Sequence, residues 1–296
     1  MRFQKPTINK IATDIQQLSI YLRTTKKFGK STLFRDMIIE KYGSPEFGLS
    51  VQCGNEKGNT LLDDLNCTQV RTYQDAVELK DWLISTKGKE HNIKIIAFDT
   101  VDELVPIFEK ETIRISNLET PTKRIKTINQ ALGGFHSGQS YTASDLIKPF
   151  MDDLHNAGFG VWALSHTKFK TIKEKGSTDE DGYMQLTSIL SSEYESAFGD
   201  IFDVTLTGVI DRDTIEKHKE VAGKDKVTRY VTESIRKLYF RETPLIDAGG
   251  RFAFGAVPEY MVFDKPNMAA DFIKIVEDGM KNSKRSKVSK LSLIHI

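Results

Sequence analysis

Leu18-Ser19-Ile20-Tyr21-Leu22-Arg23-Thr24-Thr25-Lys26-Lys27-Phe28-Gly29-Lys30-Ser31-Thr32 is the stretch whose reading decides the fold. A short apolar run, Leu18 to Leu22, passes into a polar, basic loop. From Lys30 the spacing becomes helical, with Leu33, Phe34, Met37 and Ile38 on one face, and Tyr42-Gly43 closes the helix with a glycine cap. Strand, loop and helix in this order are the setting that a Gly-Lys-Ser/Thr phosphate loop requires. Backbone N–H groups and the helix N-terminus form an anion cradle, the lysine reaches the outer phosphates, and the hydroxyl binds magnesium. Gly29, Lys30 and Ser31 occupy those positions. The opening glycine of the motif falls on Thr24, which poorly adopts the unusual backbone angle often needed there. The candidate nucleotide-binding run is therefore Thr24, Thr25, Lys26, Lys27, Phe28, Gly29, Lys30, Ser31 and Thr32. A chance Gly-Lys-Ser-Thr at a helix start is the alternative, so the reading depends on what accompanies it.

The rest of the chain repeats the alternation. Phe47 to Val51 reads as a second strand, followed by Gly54-Asn55-Glu56-Lys57-Gly58 and a helix over 74–87. Ile93 to Phe98 is a β-branched apolar run ending at Asp99, the pattern of a strand buried in a parallel sheet. Helices are expected over 101–113 and 143–156. Val161 to Leu164 forms the next buried strand, ending at Ser165-His166-Thr167. This predicts an α/β fold, a mostly parallel central sheet flanked by helices. Lys168 to Glu180 reads as a mobile charged loop. Alternation over 203–210, 228–232, 236–241 and 251–254 predicts C-terminal antiparallel strands, and 268–280 a last helix. The expected organisation is one ATPase domain over residues 1–280 and a disordered basic tail over 281–296.

Strand ends carry the candidate chemistry. Asp99, at the C-terminal end of its strand, faces the ligand crevice of an open α/β sheet and is the candidate magnesium residue with Ser31; an ordinary helix N-cap is its alternative. Asp102 and Glu103 read as first-turn charges suited to the helix dipole. Glu56 could orient or deprotonate an attacking water, or be a surface turn glutamate. His166 could sense the γ-phosphate, or be a satisfied histidine. Candidate catalytic residues are thus Glu56, Lys30 and His166, with ATP and Mg2+ the implied cofactors.

The chain has 296 residues, 39% apolar, enough for a substantial core. The net charge of +1 names no partner, so nucleic-acid affinity must come from local clusters. Two cysteines suit free thiols in a reducing cytosol. Met1 to Pro6 lacks the apolar run of a secretory signal, and no segment approaches the roughly 20 apolar residues that cross a bilayer. A cytoplasmic protein with no membrane partner is expected.

The order of motifs resembles bacteriophage-encoded RecA-like P-loop ATPases, labelled AAA-family ATPases or phage nucleotide-binding proteins, some similar to RecA-like single-strand annealing proteins. The resemblance spans roughly residues 15 to 265. It rests on the phosphate loop, on Gly54 to Gly58, on Ile95 to Thr100 and on Val161 to Lys168. Arg236 to Arg241 and Asp247 to Phe252 complete it. It implies a catalytic glutamate at Glu56, a polar sensor at His166, and a homo-oligomer, ring or filament. Lys237, Arg241 or Arg251 would then reach a neighbour's ATP in trans, their alternative being charges on a solvated sheet face. It also implies action on single-stranded DNA in recombination or annealing, in the cytoplasm of a host bacterium. Lys168, Lys170, Lys173 and Lys175 with Tyr183 could contribute to that, although Asp179, Glu180 and Asp181 oppose it. Lys123, Arg124 and Lys126 form a second cluster, and the tail a third. A replication accessory, either a helicase or a helicase loader, is the alternative, with single-strand binding or replication proteins as partners. A small-molecule kinase fits less well, because 168–180 carries both signs and no arginine, a poor phosphate lid.

Overall fold

The computed structural model describes residues 12–56, 62–120, 124–173, 182–221 and 224–283, with only the backbone over 213–230 and at 232. The chain runs β1 (Ile20–Thr24), α1 (Lys30–Tyr42), β2 (Gly48–Cys53), β3 (Cys67–Val70), α2 (Tyr73–Thr86), β4 (Ile95–Asp99) and α3 (Val101–Glu119). A short helix α4 (Ser137–Tyr141) passes through a π-helical turn into α5 (Lys148–Asn156). There follow β5 (Gly160–Ile172), β6 (Tyr183–Ser188), α6 (Ser192–Ile201), β7 (Val204–Val221), β8 (Lys224–Tyr239), β9 (Gly249–Gly250), β10 (Tyr260–Val262) and α7 (Met268–Asn282).

The sheet order is β10-β8-β7-β1-β5-β4-β2-β3, with β6 on β5 and β9 on β7. Every pairing from β7 across to β3 is parallel, and the C-terminal strands add antiparallel pairs. The predicted α/β architecture is therefore present. Its reason is visible in burial: β1 and β4 are buried at every position, because helices cover both faces. Tyr21, Val51, Phe98, Val161 and Ala163 face a core closed by α2, α3, α5 and α6. Leu22, Ile95, Ala97, Trp162 and Leu206 face the other, closed by α1 and α7. Gly43, with φ 75°, ends α1 as expected, its N–H donating to the Ile39 carbonyl at 2.8 Å.

Several local expectations change. The charged run after His166 is not a loop throughout, because β5 continues through Ile172 and pairs with β6; residues 174–181 lie outside the described part. Side-chain polarity misleads here because the pairing is with β6, whose Gln185 to Ser188 are buried, while Lys168, Phe169 and Thr171 on β5 stay exposed. The alternating patches 228–232 and 236–241 belong largely to one long strand, β8, which ends at Tyr239. At 251–254 there is no strand: Arg251 N–H turns back to the Asp203 carbonyl at 3.0 Å. Strands β3, β6 and β10 and helix α6 lacked a sequence signal strong enough to place them. The last helix extends to Asn282, and residues 284–296 of the expected tail are outside the described part.

One buried network was also not foreseen. Arg23, 1% exposed in the middle of the sheet, donates through Nη1 to Glu195 at 2.5 Å and Asp247 at 2.9 Å, and through Nη2 to the Asp247 carbonyl at 2.6 Å. Burial alone would lower its pKa; Asp247 and Glu195 more than offset that, and the guanidinium stays charged.

Gly208 on β7 lies opposite Thr24 in the parallel register. A Cβ there would stand 2.8 Å from the Phe28 ring and 2.8 Å from Thr24 Cγ2, both buried. Gly208→Ala is expected to cost about 1–3 kcal/mol by overpacking, read as a lower midpoint in urea unfolding. A midpoint equal to wild type would show that Phe28 has room to move.

Candidate functional site

The parallel register brings the C-terminal ends of β1, β2 and β4 to the middle of β5, where Thr24 lies beside His166 and Asp99 beside Gln52 and Leu164. A cleft of about 540 Å³ opens there. Its walls are the run Lys26 to Thr32 together with Glu56, Leu62, Asp99, Thr100 and His166. The sequence candidates from four separate segments thus meet in one place.

The loop after β1 is fixed residue by residue. Thr25 N–H donates to the Gly208 carbonyl at 3.1 Å, and Phe28 N–H to the Thr25 carbonyl at 3.3 Å. The positive backbone angles fall at Lys27 (φ 62°) and Gly29 (φ 109°). Thr24 lies within strand β1, so the angle that threonine adopts poorly is not demanded of it. Gly29 caps α1, whose first turn carries no acidic residue, and its free amides present positive partial charge. Lys30 is 8% exposed and points Nζ to Thr24 Oγ1 at 3.4 Å. Burial lowers its pKa, while Asp99, Asp102 and Glu56 pull it up. A desolvated ammonium in such a place gains from an anion brought beside it.

Ser31 Oγ donates to Asp99 Oδ2 at 2.5 Å. Asp99 is 3% exposed, and burial raises its pKa against the Ser31 hydrogen bond and the Lys30 charge. A buried carboxylate and a hydroxyl in contact form a hard-oxygen pair of the kind that suits magnesium. Among the described residues no group of three or more His, Cys, Asp or Glu side chains could hold a metal.

Glu56 follows β2 in a turn where its N–H donates to the Cys53 carbonyl at 3.2 Å, and it is half-buried on the cleft wall. Lys57 and Gly58 lie outside the described residues. His166 is oriented by a residue the sequence reading had assigned to the helix dipole. Asp102 sits in the first turn of α3, but both of its oxygens are engaged. Oδ1 accepts from Ser165 Oγ at 2.5 Å; Oδ2 accepts from His166 N–H at 2.9 Å and lies 2.8 Å from His166 Nδ1. With a carboxylate facing it, Nδ1 is the protonated nitrogen, which leaves Nε2 as the ring's other functional atom. Local spacing could not reveal this, because Ser165 and His166 are 63 and 64 residues beyond Asp102.

The basic candidates are not in the cleft wall. Lys237 pairs with Asp211 at 2.7 Å and lies over the Tyr260 ring, and Arg251 pairs with Asp203 at 3.2 Å. Arg241 is exposed. The neighbouring Arg236, which the sequence did not single out, does touch the phosphate loop: Nη1 donates to the Phe28 carbonyl at 2.7 Å. Of the candidate DNA contacts, Lys168, Lys170, Lys173 and Tyr183 lie on or beside the β5–β6 ribbon; Lys175, Asp179, Glu180 and Asp181 are outside the described residues. Lys170 donates to the Leu190 carbonyl at 2.7 Å, and burial lowers its pKa, so it has a structural bond to satisfy. Arg124 and Lys126 are exposed, and Lys123 is outside the described part.

Residues 17–252 match the model of a family described as AAA domain. No curated protein matches the chain. Among solved structures, a KaiC-like protein from the hyperthermophile Pyrococcus horikoshii OT3 is similar at 12% identity, covering 83% of this chain and 89% of that one, with a TM-score of 0.39.

Asp102→Ala would remove the acceptor of the His166 amide and of the imidazole Nδ1–H, and leave the Ser165 hydroxyl only the His166 carbonyl at 3.3 Å. The expected loss is about 1–3 kcal/mol in chemical unfolding, and nitrogen-15 NMR should show the His166 tautomers mixing. A variant that keeps both wild-type stability and one tautomer would mean that Asp102 does not set the ring.

Proposed function

The chain belongs to the AAA domain family, and on that premise we propose that it is a magnesium-dependent, RecA-like P-loop ATPase that acts on single-stranded DNA in recombination or annealing. The observation that carries the ATPase reading is the Ser31–Asp99 contact at the foot of the loop, beside the buried Lys30. Phosphates would lie against the α1 N-terminus, with Lys30 as the point charge opposite them. Ser31 and Asp99 would hold the magnesium, which supplies charge neutralisation across the outer phosphates. Glu56, on the facing wall, would orient the attacking water and take its proton. His166, fixed by Asp102, would report whether the γ-phosphate is present.

Support for the DNA reading comes from the β5–β6 ribbon, which grows from His166. Phe169 is 59% exposed, Tyr183 40% and Met184 49%, with Lys168 and Lys173 among them. Exposed aromatic faces interleaved with cations suit stacked bases and their phosphates. The His166 carbonyl accepts from Ile189 N–H at 3.1 Å, so the far arm of the ribbon ends against the proposed sensor. The same exposed apolar surface suits a protein partner, a single-strand binding protein or a replicative helicase, and that is the second reading: a replication accessory. Assembly would be as a ring or filament of identical chains. Arg241 is the best trans-acting candidate, because Lys237 and Arg251 are held by acids of their own chain. No described helix is long and apolar enough to cross a membrane.

Lys30→Ala is expected to lose ATP binding by at least about tenfold, measured with a fluorescent ATP analogue; wild-type affinity would remove the phosphate-loop assignment. Glu56→Gln should bind ATP and turn it over at least about a hundredfold more slowly, and EDTA should stop turnover altogether. Turnover measured with and without single-stranded DNA separates the two partner readings. Stimulation supports direct action on DNA; no stimulation, together with a stable complex with a replicative helicase, favours the accessory role.

A further inference from the structure

Thr24 stands where the phosphate loop's opening glycine is expected, and its backbone is ordinary strand. The loop is shaped from its far side instead. Phe28, in the middle of a polar and basic loop, is fully buried. Its ring lies 4.5 Å from that of Phe263, and Gly208 leaves space for it. The Phe28 carbonyl accepts from Arg236 Nη1 at 2.7 Å. Arg236 is itself held on three sides: Nε donates to Asp264 Oδ1 at 2.5 Å, Nη2 pairs with the same carboxylate, and the guanidinium lies over the Phe263 ring at 5.2 Å. The main chain is tied as well, Phe263 N–H donating to the Arg236 carbonyl at 2.8 Å and Arg236 N–H to Asp264 Oδ2 at 2.9 Å.

A trans peptide unit carries its C=O and N–H on opposite sides. Arg236 does not line the cleft and Gly29 does. A Phe28 carbonyl turned out to Arg236 therefore aims the Gly29 N–H inward, where a phosphate oxygen would sit. We infer that Arg236 is a positioning residue for nucleotide binding: acting within its own chain, it sets the Phe28–Gly29 peptide plane and so aims the Gly29 amide at the phosphates, with Asp264 holding it in place. This rests on the ATP-binding reading above. It differs from the trans role expected of Lys237, Arg241 or Arg251, since Arg236 serves the loop of its own protomer and touches backbone, not ligand. A plain surface ion pair between Arg236 and Asp264 would have no effect on nucleotide affinity.

The test is ATP-analogue binding and steady-state turnover on the full chain for wild type, Lys30→Ala, Arg236→Ala, Arg236→Lys and Asp264→Asn, each with a thermal melt. Arg236→Ala should raise Kd and KM for ATP about tenfold, the loss of one charge-assisted hydrogen bond, with kcat within about twofold. Arg236→Lys has one nitrogen, so it cannot donate to the Phe28 carbonyl and hold Asp264 Oδ1 through two further nitrogens at once, and it should fall between wild type and Arg236→Ala. Asp264→Asn should shift Kd in the same direction by a smaller factor, and it carries the test if Arg236→Ala does not fold. Wild-type Kd in a folded Arg236→Ala, or in Asp264→Asn if the former fails to fold, overturns the inference. If wild type binds no ATP, the functional reading falls and takes this one with it. If wild type binds, Lys30→Ala does not and Arg236→Ala does, only the role of Arg236 falls.

Discussion

The register of the parallel strands is the constraint on which everything else depends. A one-residue slip of a strand reverses which side chains face which core, and here both faces are packed, so no slip is tolerated. The same register sets Thr24 opposite His166 and Gly208, and Asp99 opposite Leu164. The polar groups of the cleft are thus positioned by apolar side chains several residues away from it. Lys30 and Asp99 sit in a desolvated place that the packing imposes on them, and each lies within the other's field.

The antiparallel C-terminal strands do more than extend the sheet. They contribute Gly208, Arg236 and the Phe263-Asp264 pair, all packed on or around the phosphate loop. On the opposite face, Asp247 and Glu195 close on Arg23, one residue before the loop begins. The start of the phosphate loop is therefore gripped from both faces by parts of the chain roughly two hundred residues downstream.

What could be read from the sequence follows from how local its cause is. Continuous apolar runs at 95–98 and 161–164, the glycine cap at Gly43 and the Gly-Lys-Ser run all carry their explanation within a few residues, and the structure has each of them. Asp99 is legible as a strand end and Glu56 as the turn after one; His166 also reads as an end, but β5 runs on through Ile172, and the sheet brings all three to one cleft. The missed features are those whose partner is remote. Asp102 looked like a dipole charge because Ser165 and His166 are on another strand. Arg236 carries no signal of its own because Phe28 is 208 positions away in sequence. The ribbon over 168–172 escaped because its lysines and threonine mimic a loop, and because β6, its partner, is short.

The placement of β1 has a consequence for how the protein comes into being. It lies between β5 and β7, so one of its edges is met only by a strand that starts at Val204. A chain emerging from the ribosome has made β1 and the phosphate loop long before it can cover them. Until residues from Val204 onward appear, the strand offers an open hydrogen-bonding edge, and Arg23 lacks Asp247. The cleft is not complete until the segments carrying β7 and Asp247 have been made. A product terminated before Val204 would expose a sticky strand in place of a nucleotide site.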